Sequence, residues 1–314
     1  MTRGIFIYNW LHQIFATNLG RLLFGISIGT FFYFLTMTSS PQGIIVLMYH
    51  RVKDNLKPDA MVVNTRAFRQ QMQYLYNHKY KVIGISELVS ELNRSTSLQV
   101  LNPKIQKRLN SETVLITFDD GYHSVYSNAY PILKEFGFSA TIFLTTGVIE
   151  ADKANPKYKN TPFLDMLSWE NIREMAENGI EFGAHTINHP HLTQINIEEA
   201  KREIEESKKV VNELTGLPVM AFSYPYGEYN EAIKKLAEEA GFACAFTVER
   251  GRNREGVDLL ELRRIAIDND DSLSDFKKKI TGGYGILHKL GQIRPDRVLR
   301  KLGTHLKWIK KLLS

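Results

Sequence analysis

"LITFDDGY", residues 115–122, is an apolar run of strand length that stops on two adjacent aspartates, a glycine and a tyrosine. Taken alone such a run fits a buried strand or one flank of a helix. Its repetition decides the matter. Comparable short apolar runs occupy 44–49, 113–118, 140–144, 180–184, 219–223 and 243–248. Patterns of helical period lie between them at 65–78, 128–136, 168–177, 196–215 and 230–240. Glycines follow the helical stretches at Gly137, Gly179 and Gly241, where a chain leaving a helix needs positive φ. Ser168 precedes a first-turn Glu170 as an N-cap. Strand and helix in alternation imply parallel pairing, an α/β class, and a number of strands that suits a barrel. In such folds the chemistry gathers at the C-terminal ends of strands.

That rule singles out particular residues. Asp119 and Asp120 sit side by side at a strand end, where two carboxylates repel unless a cation or a proton intervenes. Asp-Asp-Gly by itself is an ordinary turn sequence. Sixty-five residues after Asp120, "FGAHTINHPHL" again follows an apolar run and holds His185 and His189, four apart. Such a pair alone is often just exposed. One aspartate with two imidazoles, each at the end of a predicted strand, makes an oxygen and nitrogen donor set suited to Zn²⁺ or a similar divalent ion.

Thr-Phe-Asp-Asp-Gly, then His-Thr-x-x-His-Pro, then "FSYPYG" at 222–227, in that order, resemble the polysaccharide deacetylases of the NodB-homology, carbohydrate esterase family 4 type. The likeness runs from Ile44 to near Ile280. It implies a deformed (β/α)7 TIM-like barrel and metal-dependent removal of N-acetyl groups from a glycan. It further implies Asp119 as general base, Asp120, His185 and His189 as ligands of Zn²⁺ (or Ni²⁺, Co²⁺ or Fe²⁺), and the backbone N–H of Tyr226 as a donor to the oxyanion. Tyr49, Tyr122, Tyr224 and Pro225 are expected against the substrate on the same grounds. The chemistry needs those types, because a bound divalent ion brings the pKa of water from about 15.7 to about 7 and a free carboxylate then takes its proton.

The leaving amine also needs an acid. Family members commonly supply it as a histidine in a short C-terminal motif, and two histidines compete for the part here. His288, in "GILHKL", stands beyond the recognisable domain, whereas His50 ends the apolar run "IVLMYHRV" at 45–52. The chain therefore resembles the circularly permuted subset that deacetylates poly-β-1,6-N-acetyl-D-glucosamine, in which this motif comes first. One residue departs from the family: Ser223 stands where many members carry an arginine that braces the base. Arg263 and Arg264, at the start of a further strand, are the candidates to replace it, with Arg264 preferred.

The two ends differ from the middle. Residues 22–37, "LLFGISIGTFFYFLTM", carry no charge and would span about 24 Å as a helix, somewhat short of a bilayer core of roughly 30 Å. Arg3 and Arg21 precede this run, and "TMTSSPQG" offers no good small-residue cleavage site. A single-pass N-terminal hydrophobic helix at the cell membrane with the catalytic domain outside is expected, a cleaved signal and secretion being the alternative. Of the formal net charge of +6, the segment 284–314 alone carries +7 and the first forty residues +2, which leaves −3 for the middle. A nucleic-acid-binding core is excluded on that distribution. The tail's Leu299, Leu302, Leu306, Ile309 and Leu313 fall at helical spacing, as in an amphipathic helix at a membrane surface or an ordinary domain-packing helix. The single cysteine, Cys244, excludes an internal disulfide.

The expected organisation is thus an anchor or signal at 1–40, a deacetylase domain at 41–283 and a basic tail at 284–314. The expected substrate is a cell-surface or extracellular polysaccharide, foremost the poly-N-acetylglucosamine of biofilm exopolysaccharide, and an exopolysaccharide synthesis complex is a candidate partner. Peptidoglycan or chitooligosaccharide deacetylation is the alternative, and an inactive carbohydrate-binding module a third reading.

Overall fold

The structure, a computed structural model, describes residues 43–54, 59–89, 112–149, 165–254 and 256–282. The hydrophobic segment at 22–37, His288 and the basic tail lie outside these residues. No helix among the described residues is long and apolar enough to cross a membrane. The chain divides between Gln42 and Gly43 into two units, and every described residue belongs to the second.

Ten strands are present among the described residues: β1 (Ile45–Tyr49), β2 (Arg51–Val52), β3 (Val62–Val63), β4 (Lys81–Ile83), β5 (Thr113–Phe118), β6 (Thr141–Leu144), β7 (Glu181–Ala184), β8 (Ala221–Ser223), β9 (Cys244–Arg250) and β10 (Leu262–Ala266). The helices are α1 (Thr65–Asn77), α2 (Tyr130–Phe136), α3 (Trp169–Glu177), α4 (Ile197–Thr215), α5 (Glu231–Glu239) and α6 (Leu273–Thr281). Strand pairing runs β1-β10-β9-β8-β7-β6-β5 and returns from β5 to β1, so seven parallel strands close on themselves. This is the deformed (β/α)7 barrel. β1 and β5 are buried at every position, as strands covered on both faces must be.

The deformation has a local cause. One edge of β5 pairs with β1 from Val114 to Phe118, but the other edge is shared: Thr113–Leu115 face β4, and Thr117 and Phe118 face β6. Where β4 and β6 part, Glu181 of β7 fills the gap. Its carboxylate accepts from the backbone N–H of Ile85 and from the N–H and hydroxyl of Ser86, the latter at 2.7 Å. The sequence reading anticipated neither β4 nor α6, and it began α2 two residues early. Val125–Ala129 instead form a π-helical turn that feeds α2.

Alternation along the strands sorts side chains into two cores. Ile45, Leu47 and Tyr49 of β1, with Val114, Ile116 and Phe118 of β5, face the helices. Ile44, Val46, Leu115, Phe143, Ala221, Cys244, Phe246 and Leu262 fill the barrel. Gly183 belongs to that interior: a Cβ there would stand 2.4 Å from the Phe143 ring. Counting on by twos from the interior set leads past the strand ends to His50, Asp119 and His185, and within β8 and β10 to Ser223 and Arg264. The barrel's own parity therefore delivers the polar residues to one mouth, above an aromatic floor. Side-chain N-caps at Asn64, Ser168, Asn196, Asn230 and Ser272 start α1, α3, α4, α5 and α6, each contributing about 1 kcal/mol.

Candidate active site

The β1–β5 ladder continues one step past Phe118, because the Asp119 N–H donates to the Tyr49 carbonyl at 2.9 Å. Register then sets His50 beside Asp119. Asp120 and Gly121 follow with φ of 73° and 88°, and this reversal sends two successive carboxylates in different directions. Gly121 is required there, since a Cβ would lie 2.9 Å from Leu144 Cδ2.

Asp119 turns into the barrel and meets Arg264. The guanidinium grips it with both arms, Nη1 to Oδ1 at 2.7 Å and Nη2 to Oδ2 at 2.7 Å. Arg264 Nη2 also donates to Ser223 Oγ at 3.0 Å and Nε to the Thr247 carbonyl at 2.9 Å. Both partners are buried, Arg264 to 1% and Asp119 to 3% exposure. Burial alone would raise the Asp119 carboxyl, but the charge of Arg264, then that of His185 and the paired hydrogen bonds hold it well below the usual carboxylate range. A register shift between β9 and β10, at Leu262/Arg264, accompanies the inward aim of the side chain. Arg263, next to it, is exposed beside Glu249 at 3.5 Å. The small Ser223 leaves the space that the Arg264 fork occupies.

Asp120 turns the other way, toward the β7 loop. Its Oδ1 lies 3.5 Å from His185 Nε2 and 3.6 Å from His189 Nε2, and all three ligand atoms fall within 4.8 Å of one another. His185 donates from Nδ1 to the Ser223 carbonyl at 2.7 Å, which aims Nε2 at Asp120; burial would lower this imidazole, but the carboxylates of Asp120 and Asp119 hold it above its ordinary value. Burial, then repulsion from His185, push the His189 imidazole down to about 4. A divalent ion fits this donor set. Asp120 Oδ1 is buried with no hydrogen-bond partner in the structure, and the two separations match the roughly 3.4 Å edge of a tetrahedron with ligands near 2.1 Å.

The loop is built to hold this pose. Thr186 and His189 take positive φ, 68° and 56°, and the His189 N–H donates to Thr186 Oγ1 at 3.0 Å. Glu203 on α4, buried to 2%, accepts from the N–H of Ile187 at 2.8 Å, the N–H of Asn188 at 2.9 Å and Asn188 Nδ2 at 2.7 Å. The turn after β6 ties both ligand loops together: Thr145 N–H reaches the Asp120 carbonyl, and Thr146 and Gly147 reach those of Thr186 and Ile187. Four of the six non-glycine residues with positive φ among those described, Asp120, Thr186, His189 and Tyr226, stand at this mouth. Strain of that kind, of order 1–3 kcal/mol each, persists only where surroundings enforce it.

Glu203 escaped the sequence reading, although a signal was there. It occupies the buried stripe of α4 with Ala200, Ile204, Ser207 and Val211, and an acid on an apolar stripe needs donors.

His50 is half-buried at the end of β1, and its charge bears on both Asp119 and Asp120. Tyr226, 49% exposed with φ 59°, stands over the ligand loop. The expected substrate contacts fare differently. Tyr49 is fully buried, donates to Gln71 Oε1 at 2.9 Å and packs on Phe68 and Phe118, so it is core. Tyr224 is equally buried against Phe222 and Tyr229, with Pro225 buried next to it. Tyr122 is 1% exposed beneath the Arg51 guanidinium, 4.8 Å from its ring centroid. None of the four offers a surface to a glycan. Alternation turns Tyr49 and Tyr224 outward to the helices, while their neighbours His50 and Ser223 face the mouth.

The mouth of this closed parallel barrel sets three side chains that could hold a metal ion beside a braced carboxylate. Residues 106–245 match the family model described as polysaccharide deacetylase. YxkH of Bacillus subtilis, which carries a polysaccharide deacetylase name, is 29% identical over 239 residues, 76% of each chain. The poly-β-1,6-N-acetyl-D-glucosamine N-deacetylase of Staphylococcus epidermidis is 27% identical over 72% of this chain and 79% of its own. Among solved structures, the Streptococcus pyogenes deacetylase PplD in complex with acetate superposes with a TM-score of 0.64 at 27% identity, covering 76% of this chain and 99% of that one. Residues 106–245 thus form a polysaccharide deacetylase domain of the NodB-homology, carbohydrate esterase family 4 type, and the chain is similar to polysaccharide N-deacetylases over about three quarters of its length.

Proposed function

We propose that this chain is a metal-dependent N-deacetylase of poly-N-acetylglucosamine, acting outside the cell on an exopolysaccharide and held at the membrane by its N-terminal segment. The observation that carries the reading is the pairing of Asp120, His185 and His189 around one unpartnered carboxylate oxygen, next to an Asp119 whose charge is already matched by Arg264. The likeness to poly-β-1,6-N-acetyl-D-glucosamine deacetylases supports the substrate. The N-terminal hydrophobic run supports the location, and a basic amphipathic tail suits a role beside a membrane or a synthesis complex.

When bound by Asp120, His185 and His189, a divalent ion such as Zn²⁺ supplies Lewis acidity to water and to the acetyl carbonyl. Asp119 accepts the proton that the attacking water sheds, and Arg264 fixes the direction of its lone pairs. That bracing keeps the carboxylate charged and aimed at some expense of basicity. The Tyr226 N–H donates to the carbonyl oxygen as it gains charge. His50, on the neighbouring strand end, hands a proton to the sugar nitrogen as the C–N bond breaks, so that acetate and a free amine leave.

Acetate release from β-1,6- and β-1,4-linked N-acetylglucosamine oligomers, with and without a chelator, tests this. Asp119→Asn is expected to lower turnover by about 10²–10⁴, as loss of a general base does, and chelation to abolish it reversibly. Activity indifferent to both would overturn the mechanism. Preference for β-1,4 oligomers would move the assignment to peptidoglycan or chitooligosaccharides.

A further inference from the structure

Three rings from two loops stack at the rim of the mouth. The Tyr226 ring meets His189 edge-on, with centroids 4.5 Å apart at 71°, and lies flat against His191, 3.9 Å apart at 10°. His191 is in turn held by Glu228, its Nδ1 donating to Oε2 at 2.9 Å. The clamp closes a circle, because Glu228 follows Tyr226 by two residues on the β8 loop and His191 follows His189 by two on the β7 loop.

The arrangement runs against ordinary surface economics of entropy. His191 and Glu228 are 42% and 41% exposed, where long-lived pairing of side chains contributes little to stability. The backbone beneath them is of another kind. Tyr226 takes φ 59° and Gly227 φ 70°, two left-handed residues in succession, and the first carries a Cβ. Gly227 is pressed on Val248, whose nitrogen would lie 2.6 Å from an added Cβ, so one side of the turn is fixed by β9. On the other side the ring stack covers it. The ring contacts with His191 and His189 tie the Tyr226 side chain to the β7 loop.

We propose that His191, oriented by Glu228, is a positioning residue: it locks the Tyr226 turn so that the Tyr226 N–H points at the developing oxyanion, and it couples that donor to the ligand His189. This rests on the deacetylase reading for its catalytic consequence, but the positioning itself does not. His191 contacts no reacting atom. A change there is expected to act on turnover in preference to substrate affinity.

The full-length protein with His191→Ala, His191→Phe and Glu228→Gln, each against wild type, decides the point by two independent measurements. Deuterium uptake at Gly227 and Glu228, whose N–H groups donate to the Tyr224 and Pro225 carbonyls at 2.8 and 3.1 Å, reports the turn without any catalysis. In His191→Ala it is expected to quicken at least tenfold, in Glu228→Gln less, and in His191→Phe, which restores the stack, hardly at all. For acetate release, His191→Ala is expected to lose about ten- to a hundredfold in kcat with KM within twofold, since misplacing an oxyanion donor by about 1 Å is that costly. His191→Phe is expected to regain most of it. Unchanged uptake in His191→Ala overturns the proposal, and so does a loss confined to KM, which would make His191 a sugar contact. A wild type that releases no acetate would defeat the deacetylase reading alone, with the uptake result still judging the turn.

Discussion

Asp119 and Asp120 are chemically identical neighbours in opposite surroundings. Around Asp119 the chain supplies its own counter-charge, a guanidinium that is itself fully hydrogen-bonded to Thr247, Ser223 and the carboxylate. Around Asp120 it supplies two imidazoles at 3.5 and 3.6 Å and leaves Oδ1 without a partner. One side is closed electrostatically before anything binds, and the other is completed only by an added cation. The difference lets a single Asp-Asp step serve two tasks. A cation would be drawn to the carboxylate oxygen that lacks a hydrogen-bond partner, and the braced one would stay off it.

The largest effect that would break this contrast comes from Arg264→Met. Removing one member of a buried pair strands the other, so urea unfolding should report a loss of about 3–5 kcal/mol, and adding Asp119→Leu to make both positions apolar should return most of it. A small loss in the single variant would mean that solvent already reaches Asp119. On the other side, Zn²⁺ at a hundredfold its dissociation constant should stabilise the wild type by about 2.7 kcal/mol, and the same concentration should do almost nothing for Asp120→Asn. Glu203→Ala sharpens the comparison. It frees the N–H groups of Ile187 and Asn188 and should weaken metal binding by about 10- to 100-fold in competition with a chromophoric chelator, as loss of a supporting shell does. The smallest effect is expected for Asp120→Asn without metal, within about 1 kcal/mol of wild type, because the carboxylate oxygen it removes has no partner to lose. A large loss there would show that Asp120 is held by the protein and not kept for an ion.

Much of this was legible along the chain, and the reasons are local. Thr113–Phe118 was read with its observed bounds because a strand buried on both faces is an unbroken apolar run. The cap at Ser168 bounded its helix for the same kind of reason: a short side chain there satisfies the helix's first N–H groups. β4 escaped notice because three residues, Lys81–Ile83, are too few for periodicity to register and owe their strand state to β5. The substrate contacts assigned to Tyr49 and Tyr224 failed on parity: each adjoins a residue that faces the mouth, and adjacent strand positions face opposite ways.

The sequence by itself determined the alternation of strand and helix, the strand ends at which Asp119, Asp120, His185, His189 and His50 stand, and the uneven spread of charge, because periodicity, capping and composition are properties of neighbours along a chain. Tertiary structure alone decided that Glu203 holds the 185–189 loop and that His191 stacks on Tyr226, and it settled between Arg263 and Arg264 by bringing Arg264, 145 residues from Asp119, onto that carboxylate. Barrel closure sets those distances, and no local pattern encodes which side chains it will bring within 3 Å.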